Sequence, residues 1–426
     1  MLDLIIRKAT IPGNPTPTDI GCRNGRIETV TPKLDASAHK EIDAADQLVC
    51  PPFVDSHFHM DACLSLGLPR LNRSGTLLEG IQLWGELKQD LTAEAIKTRA
   101  MELLTWSVAR GTLAVRTHVD VCDPTLMAVD VLLEVREEMR DIVDIQIVAF
   151  PQDGVLRTPG AKELLLKALD KGVDVVGGIP HFERTMDQGR ESVRWLCEVA
   201  AERGLRVDMH CDESDDPLSR HVETLAAETV RLGLHGRVTG SHLTSMHSMD
   251  NYFVSKLLPL MAEAGLHAVC NPLINISLQG RHDTYPKRRG LTRVPELMNA
   301  GINVALGHDC VMDPWYPMGS HDMLDTVHMA AHCLHMMGVD DQEQLFTAVT
   351  ENGAGAMGLA DYGITPGCNA DLVLLQAGNI MEAIRLRPPR LAVIRRGKVV
   401  AESEPSQSKV HLGKKSEMVN FRLQRN

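Results

Sequence analysis

The chain has 426 residues, 44% hydrophobic and 23% charged, an ordinary composition whose length argues for a large domain plus a smaller one. Its 44 Lys and Arg against 56 Asp and Glu give a net charge of −12, with no basic run longer than Lys287-Arg288-Arg289, so neither nucleic acid nor an anionic membrane is expected as a partner. No stretch approaches the ~20 apolar residues of a membrane span, the first residues are too polar for a secretory signal, and the ten cysteines form no CxxC pair or regular spacing, so a cytoplasmic location is expected.

Both ends read as β. Asp3 to Ala9 and Arg26 to Val30 are strand-like, and Asn24-Gly25 before the second is a strong hairpin signal. Between the ends, a short apolar run closed by polar residues recurs eight times. The first four are Leu48–Val54 before His57, Leu113–Val115 before His118, Ile145–Phe150 before Gln152 and Val173–Ile179 before His181. The last four are Leu205–Met209 before His210, Val238–Ser241 before His242, Ala268–Cys270 before Asn271, and Val304–Leu306 before His308 and Asp309. Amphipathic stretches such as Ala161–Leu169 and Arg190–Ala201 fill the gaps, and the longer first gap predicts an extra helix or loop around Gly75–Lys88. Eight such units predict an α/β fold, a (β/α)8 TIM-type barrel with its active site at the C-terminal ends of the strands. Asp371 to Leu375 and Leu391 to Val400, with a turn at Arg396-Gly397-Lys398, are again strand-like. They are expected to join the N-terminal strands in one small β-sandwich, giving boundaries of 1–50, 51–364 (barrel) and 365–426. The polar tail after Ser403 is expected to be partly disordered.

Strand side chains alternate, so His57 and His59 point the same way and can grip one ion. His-x-His alone is weak, but His210, His242 and Asp309 stand at three further strand ends. We take His57, His59, His210 and Asp309 as ligands of one divalent metal, a set that leaves room for a water. His118, His181 and His308 also lie at strand ends and are read as neighbours of the site. His328, His332 and His335 fall at helical spacing and are read as one helix face.

Pro51-Pro52-Phe53-Val54-Asp55-Ser56-His57-Phe58-His59, His210-Cys211-Asp212-Glu213 and Gly307-His308-Asp309 resemble the amidohydrolase superfamily. Val148-Ala149-Phe150-Pro151-Gln152, Leu278-Gln279-Gly280-Arg281, Asp283 through Gly290 and Asp313-Pro314-Trp315-Tyr316-Pro317 resemble, more narrowly, its bacterial cytosine deaminase family, along nearly the whole chain. Binuclear members of the superfamily usually carry a bridging lysine at the end of strand four. Here that end reads Gly177-Gly178-Ile179-Pro180-His181, which favours a single metal.

The resemblance implies hydrolytic deamination of a free pyrimidine base, cytosine to uracil, by a metal-activated hydroxide with release of ammonia. Fe²⁺ and Zn²⁺ suit a His₃Asp site about equally, and the resemblance leans towards iron. Glu213, three residues after His210, is placed to carry protons between water, ring and amine. By resemblance, His242 orients and polarises the attacking water, Asp309 holds the metal and takes a proton, and Gln152 reads the O2/N–H edge of the base. The sequence leaves open whether His242 touches the metal. Phe150 and Trp315 suit the walls of a flat-ring pocket, though such aromatics also serve as core. The family usually carries a second aspartate beside C5 of the ring, where this chain has Cys310. A thiol, ordinarily neutral at pH 7, makes that side roomier and more apolar, so 5-substituted cytosines, 5-methylcytosine above all, are expected substrates. Neutral drift is the main competing reading of Cys310. Competing functions are deamination of isoguanine, an aminotriazine or creatinine, and a catalytically silent scaffold, which would have no use for Glu213. Family members assemble as homo-oligomers, and the same is expected here.

Overall fold

A computed structural model describes residues 1–422 of the chain. Its strands are β1 (Leu2–Ile11), β2 (Asn14–Arg23), β3 (Arg26–Thr31), β4 (Ala38–Asp43) and β5 (Val49–Cys50), then β6 (Phe53–Phe58), β7 (Thr112–Asp120), β8 (Asp144–Phe150) and β9 (Val175–Gly178). β10 (Arg206–Cys211), β11 (Val238–His242), β12 (His267–Cys270) and β13 (Asn303–Leu306) follow, then β14 (Leu372–Leu375), β15 (Arg390–Arg395), β16 (Lys398–Glu402), β17 (Ser408–Leu412) and β18 (Lys415–Val419). Seven of the eight apolar runs become β7 to β13, and the first, Leu48–Val54, divides: Val49–Cys50 pairs with β14 in the small domain, and Phe53–Val54 begins β6, which completes one parallel sheet in sequential order. Their burial on both faces explains why they read as continuous apolar runs instead of alternating ones.

Helices cover the outside of this sheet. Met186–Arg203, His221–Leu232 and Asn251–Ala264 each end on a left-handed glycine, Gly204, Gly233 and Gly265, that turns the chain towards the next strand. Between β13 and β6 no regular ladder forms. That seam is closed by a single parallel bridge, Phe58 to Asp309, with Asp309 N donating to His57 O at 2.9 Å and His59 N to Asp309 O at 3.1 Å. Gly307 is required here, since a Cβ on it would lie 2.8 Å from His57 Cβ.

The chain ends build two four-stranded sheets, β3-β2-β1-β4 and β16-β15-β14-β5. Asn24 and Gly25 both have positive φ, 51° and 74°, the geometry of the expected hairpin turn. Leu4, Ile6, Ile20 and Ile27 of the first sheet share one apolar cluster with Val49, Leu372, Leu374 and Ile394 of the second, so the two ends form the expected sandwich. In the described part of the tail, β17 and β18 pair as a regular antiparallel hairpin, backbone pairing in a polar segment that offers no apolar periodicity; residues 423–426 of the tail expected to be partly disordered lie outside the described residues. Among the described residues no helix is long and apolar enough to cross a membrane.

Candidate active site

His57 lies on β6, His59 just beyond it, His210 on β10 and His242 at the end of β11, while Asp309 follows β13. Asp309 Oδ1 is 3.6 Å from His57 Nε2 and 3.5 Å from His59 Nε2, and His59 Nε2 is 2.9 Å from His210 Nε2. The four residues expected to hold a metal therefore converge on one point at the C-terminal end of the barrel. His242 adjoins them, its Nδ1 3.7 Å from Asp309 Oδ2, and so does His118, whose ring centroid is 4.1 Å from that of His57.

The electrostatics of this cluster call for a cation. Burial pushes the pKa values of His57, His59, His210 and His242 well below the ordinary 6.5, and neighbouring imidazoles push them further. Neutral rings present lone pairs. Yet both ring nitrogens of His57 and Nδ1 of His210 have no hydrogen-bond partner, an arrangement that costs free energy unless something binds there. Burial, then the charges of Glu213, Asp313 and Asp55, raises Asp309 well above the usual carboxylate range, as expected of an anion short of a counter-charge. Neutral nitrogens and a frustrated carboxylate fit one divalent ion.

A cavity of about 100 Å³ opens over the cluster, lined by His59, His210, His242, Asp309, Glu213, Gln152, Cys310 and Trp315 among others. Glu213 is buried, and burial pushes its carboxyl up to about 8. Its Oε1 lies 3.6 Å from His242 Nδ1. That nitrogen is also held by the side-chain amides of Asn275, at 3.0 Å, and Asn271, at 3.2 Å. The Cys310 thiol is raised well above its ordinary value by burial, with Asp313 and Asp309 adding to it, so it is neutral. It shares an apolar cluster with Ile274, Leu278 and Trp315.

Phe150 departs from expectation. It does not line the cavity; its ring stacks on His210, centroids 4.1 Å apart at 17°, and so bears on a histidine of the cluster instead of the space above it. His181 lines the cavity, while His308 sits beneath, its Nδ1 2.9 Å from Cys310 O. His328 and His332 lie on the helix Met323–Cys333, apart from the cluster, and His335 follows it.

The sequence reading missed the roof. Leu77, Leu78 and Ile81 of the helix Leu77–Leu87 line the cavity. Lys88, just after that helix, reaches Asp120 and Asp153 at 2.9 Å each, tying it to the loop that carries Gln152. Asn271 and Asn275 were also missed as side chains that orient a histidine; their place after the β12 run was the only signal. His242 and Asp309, both at φ 70°, hold left-handed backbone, a strain of ~1–3 kcal/mol each that is typical of functional sites.

Residues 40–401 match the pattern of the Amidohydrolase family. The chain belongs to the amidohydrolase family. Among amidohydrolases, the N-isopropylammelide isopropyl amidohydrolase of Pseudomonas sp. (strain ADP) is 31% identical over 94% of this chain and 98% of its own. The pterin deaminase of Rhizobium rhizogenes is 31% identical over 91% and 88%. The crystal structure of 5-methylcytosine deaminase from Klebsiella pneumoniae, liganded with 5-fluorocytosine, is 43% identical, with a TM-score of 0.92 over 94% of this chain and 98% of that one.

Proposed function

We propose that this amidohydrolase deaminates free pyrimidine bases, cytosine to uracil and 5-methylcytosine to thymine, releasing ammonia. The observation that carries the reading is Glu213, a buried carboxyl facing the cavity and raised to about 8, beside a converging His₃Asp set. The likeness to the Klebsiella 5-methylcytosine deaminase supports the substrate class. His57, His59, His210 and Asp309 would hold one Fe²⁺ or Zn²⁺ ion. When bound, such an ion lowers the pKa of water from 15.7 to ~7 and so supplies hydroxide at neutral pH.

Addition of water to C4 and loss of ammonia require a proton at N3 and another on the departing amine. A carboxyl with a pKa near the operating pH gives and regains protons readily, and Glu213 is the group so tuned. His242, held at Nδ1 by Asn271 and Asn275, would orient and polarise the attacking water. Gln152 pairs with the O2/N–H edge of the neutral ring, and Trp315 covers one side. The uncharged Cys310 thiol, among Ile274, Leu278 and Trp315, accepts a 5-methyl group, whose burial is worth about 0.8 kcal/mol. Assembly as a homo-oligomer in the cytoplasm completes the proposal.

A second reading is loss of an alkylamine from an N-alkylated aminotriazine. The 31% identical Pseudomonas relative and the apolar wall of Leu77, Leu78 and Ile81 favour it. Incubating metal-loaded protein separately with 5-methylcytosine, cytosine and N-isopropylammelide, and following amine release, decides between the two. Ammonia from the pyrimidines supports deamination. Isopropylamine from the triazine with inert pyrimidines overturns it.

A further inference from the structure

Asp55 lies on β6 and is fully buried, yet the chemistry above gives it no task. Its Oδ1 accepts two backbone amides, His57 N at 3.1 Å and His308 N at 3.0 Å. One carboxylate oxygen thus spans the seam between β6 and β13, holding the amide of one proposed metal ligand and the amide immediately before another, Asp309. The seam is where the barrel lacks a regular ladder, with one backbone bridge in its place. The other oxygen, Oδ2, lies 2.7 Å from His321 Nε2. His321 is also fully buried, and its Nδ1 is hydrogen-bonded to Ser107 Oγ on the helix Ala93–Ala109. Ser107 in turn donates to Leu103 O at 2.8 Å. The arrangement has the order of a Ser-His-Asp triad, but all three side chains are sealed from solvent and from the cavity lining, so no substrate reaches the serine.

We infer that Asp55, held by His321 and Ser107, is a positioning residue that stands in for the missing strand pairing at the seam and so sets the spacing of His57 and Asp309 for the metal. A carboxylate is needed because both oxygens must accept or face a donor: Oδ1 two amides, Oδ2 the imidazole. An asparagine has one acceptor oxygen and must give up one side of this arrangement. The left-handed backbone of His321 (φ 55°) and of Asp309 (φ 70°) is consistent with tertiary contacts overriding local preference at both ends of the chain of contacts.

The inference rests on the proposed metal site, so the test reads metal affinity and not turnover. Zn²⁺ affinity is measured by chelator competition on the full-length wild type, Asp55→Asn and His321→Gln, alongside the melting temperature of each metal-free protein. Loss of groups that orient metal ligands typically weakens binding about 10–100-fold, and Asp55→Asn is expected in that range. His321→Gln, which keeps the carboxylate on both amides, is expected to weaken binding by at least about threefold, and it decides the matter if Asp55→Asn does not fold. Affinities unchanged in the folded variants, with only the metal-free melting temperature lowered, would make the chain of contacts purely structural and overturn the inference. A wild type that takes up no zinc overturns the metal-site reading itself, and this inference with it.

Discussion

Gly80 is the fourth residue of the helix that roofs the cavity, and replacing it by alanine sets two effects against each other. Alanine is the better helix former by about 1 kcal/mol in a helix interior. Against this, a Cβ at position 80 would lie 2.3 Å from Trp315 Cδ1, 2.7 Å from Nε1 and 2.9 Å from Cγ. All three fall inside the ~3.5–4.0 Å of ordinary carbon contact, the shortest by more than an ångström. The indole is rigid, and its backbone is fixed by Asp313 Oδ1 accepting from Trp315 N at 2.9 Å, so the strain cannot be relieved by a flexible side-chain end. Overpacking of this kind costs ~1–3 kcal/mol. Gly80→Ala should therefore be neutral to about 2 kcal/mol destabilising despite the propensity gain. Because Trp315 lines the cavity, the helix or the indole must move, and KM should rise several-fold with a smaller change in kcat. Urea denaturation of the metal-free protein and steady-state kinetics on the preferred base measure the two effects. A variant clearly more stable than wild type, with unchanged KM, would refute the claim that the helix is seated on Trp315.

Glu213→Gln should lower kcat by about 10²–10⁴ with little effect on KM, followed by ammonia release. The same variant carries a stability signature: the folded pKa of Glu213, about 8, exceeds its ordinary 4.5, so the native state binds more protons between those values. Its contribution is fully present below pH 4.5 and is lost as pH rises through 8; melting curves of the metal-free proteins should show the variant gaining on wild type across that window. Arg116 and Asp208 are both fully buried and paired at 2.8 Å, so Arg116→Met, which strands the carboxylate, should cost ~3–5 kcal/mol in chemical denaturation; a loss under 1 kcal/mol would contradict the pairing. Removing the metal with a chelator should lower the melting temperature reversibly, since a ligand at 100 times its Kd adds ~2.7 kcal/mol. A chelator-insensitive melt would count against the site.

The barrel was legible because its strands are short and buried on both faces, so each reads as an apolar run, and because its site residues fall just after those runs. Long-range partners were not legible. β2, with Pro15 and Pro17, offers no alternation and is ordered by pairing with β1 and β3. Arg116 reads as a polar break in β7, yet it is fully buried, since Gln146, Asp208, Thr239 and Ala356 O, between 30 and 240 residues away, meet its guanidinium. Phe150 could be read as aromatic near the site but not as the ring beneath His210, because its direction is set by the β8–β10 side of the barrel. Roof residues such as Leu78 carry no chemical signature, and their place in the cavity lining comes only from where the extra helix lies.

The most direct test is kcat/KM of metal-loaded protein on 5-methylcytosine and cytosine side by side, read by ammonia release, with Cys310→Asp in parallel. Higher kcat/KM on the methylated base, reversed towards cytosine in Cys310→Asp, is the result this account requires. Turnover of cytosine with 5-methylcytosine untouched would contradict the role given to Cys310, and silence on both bases from protein shown to contain metal would contradict the deaminase assignment.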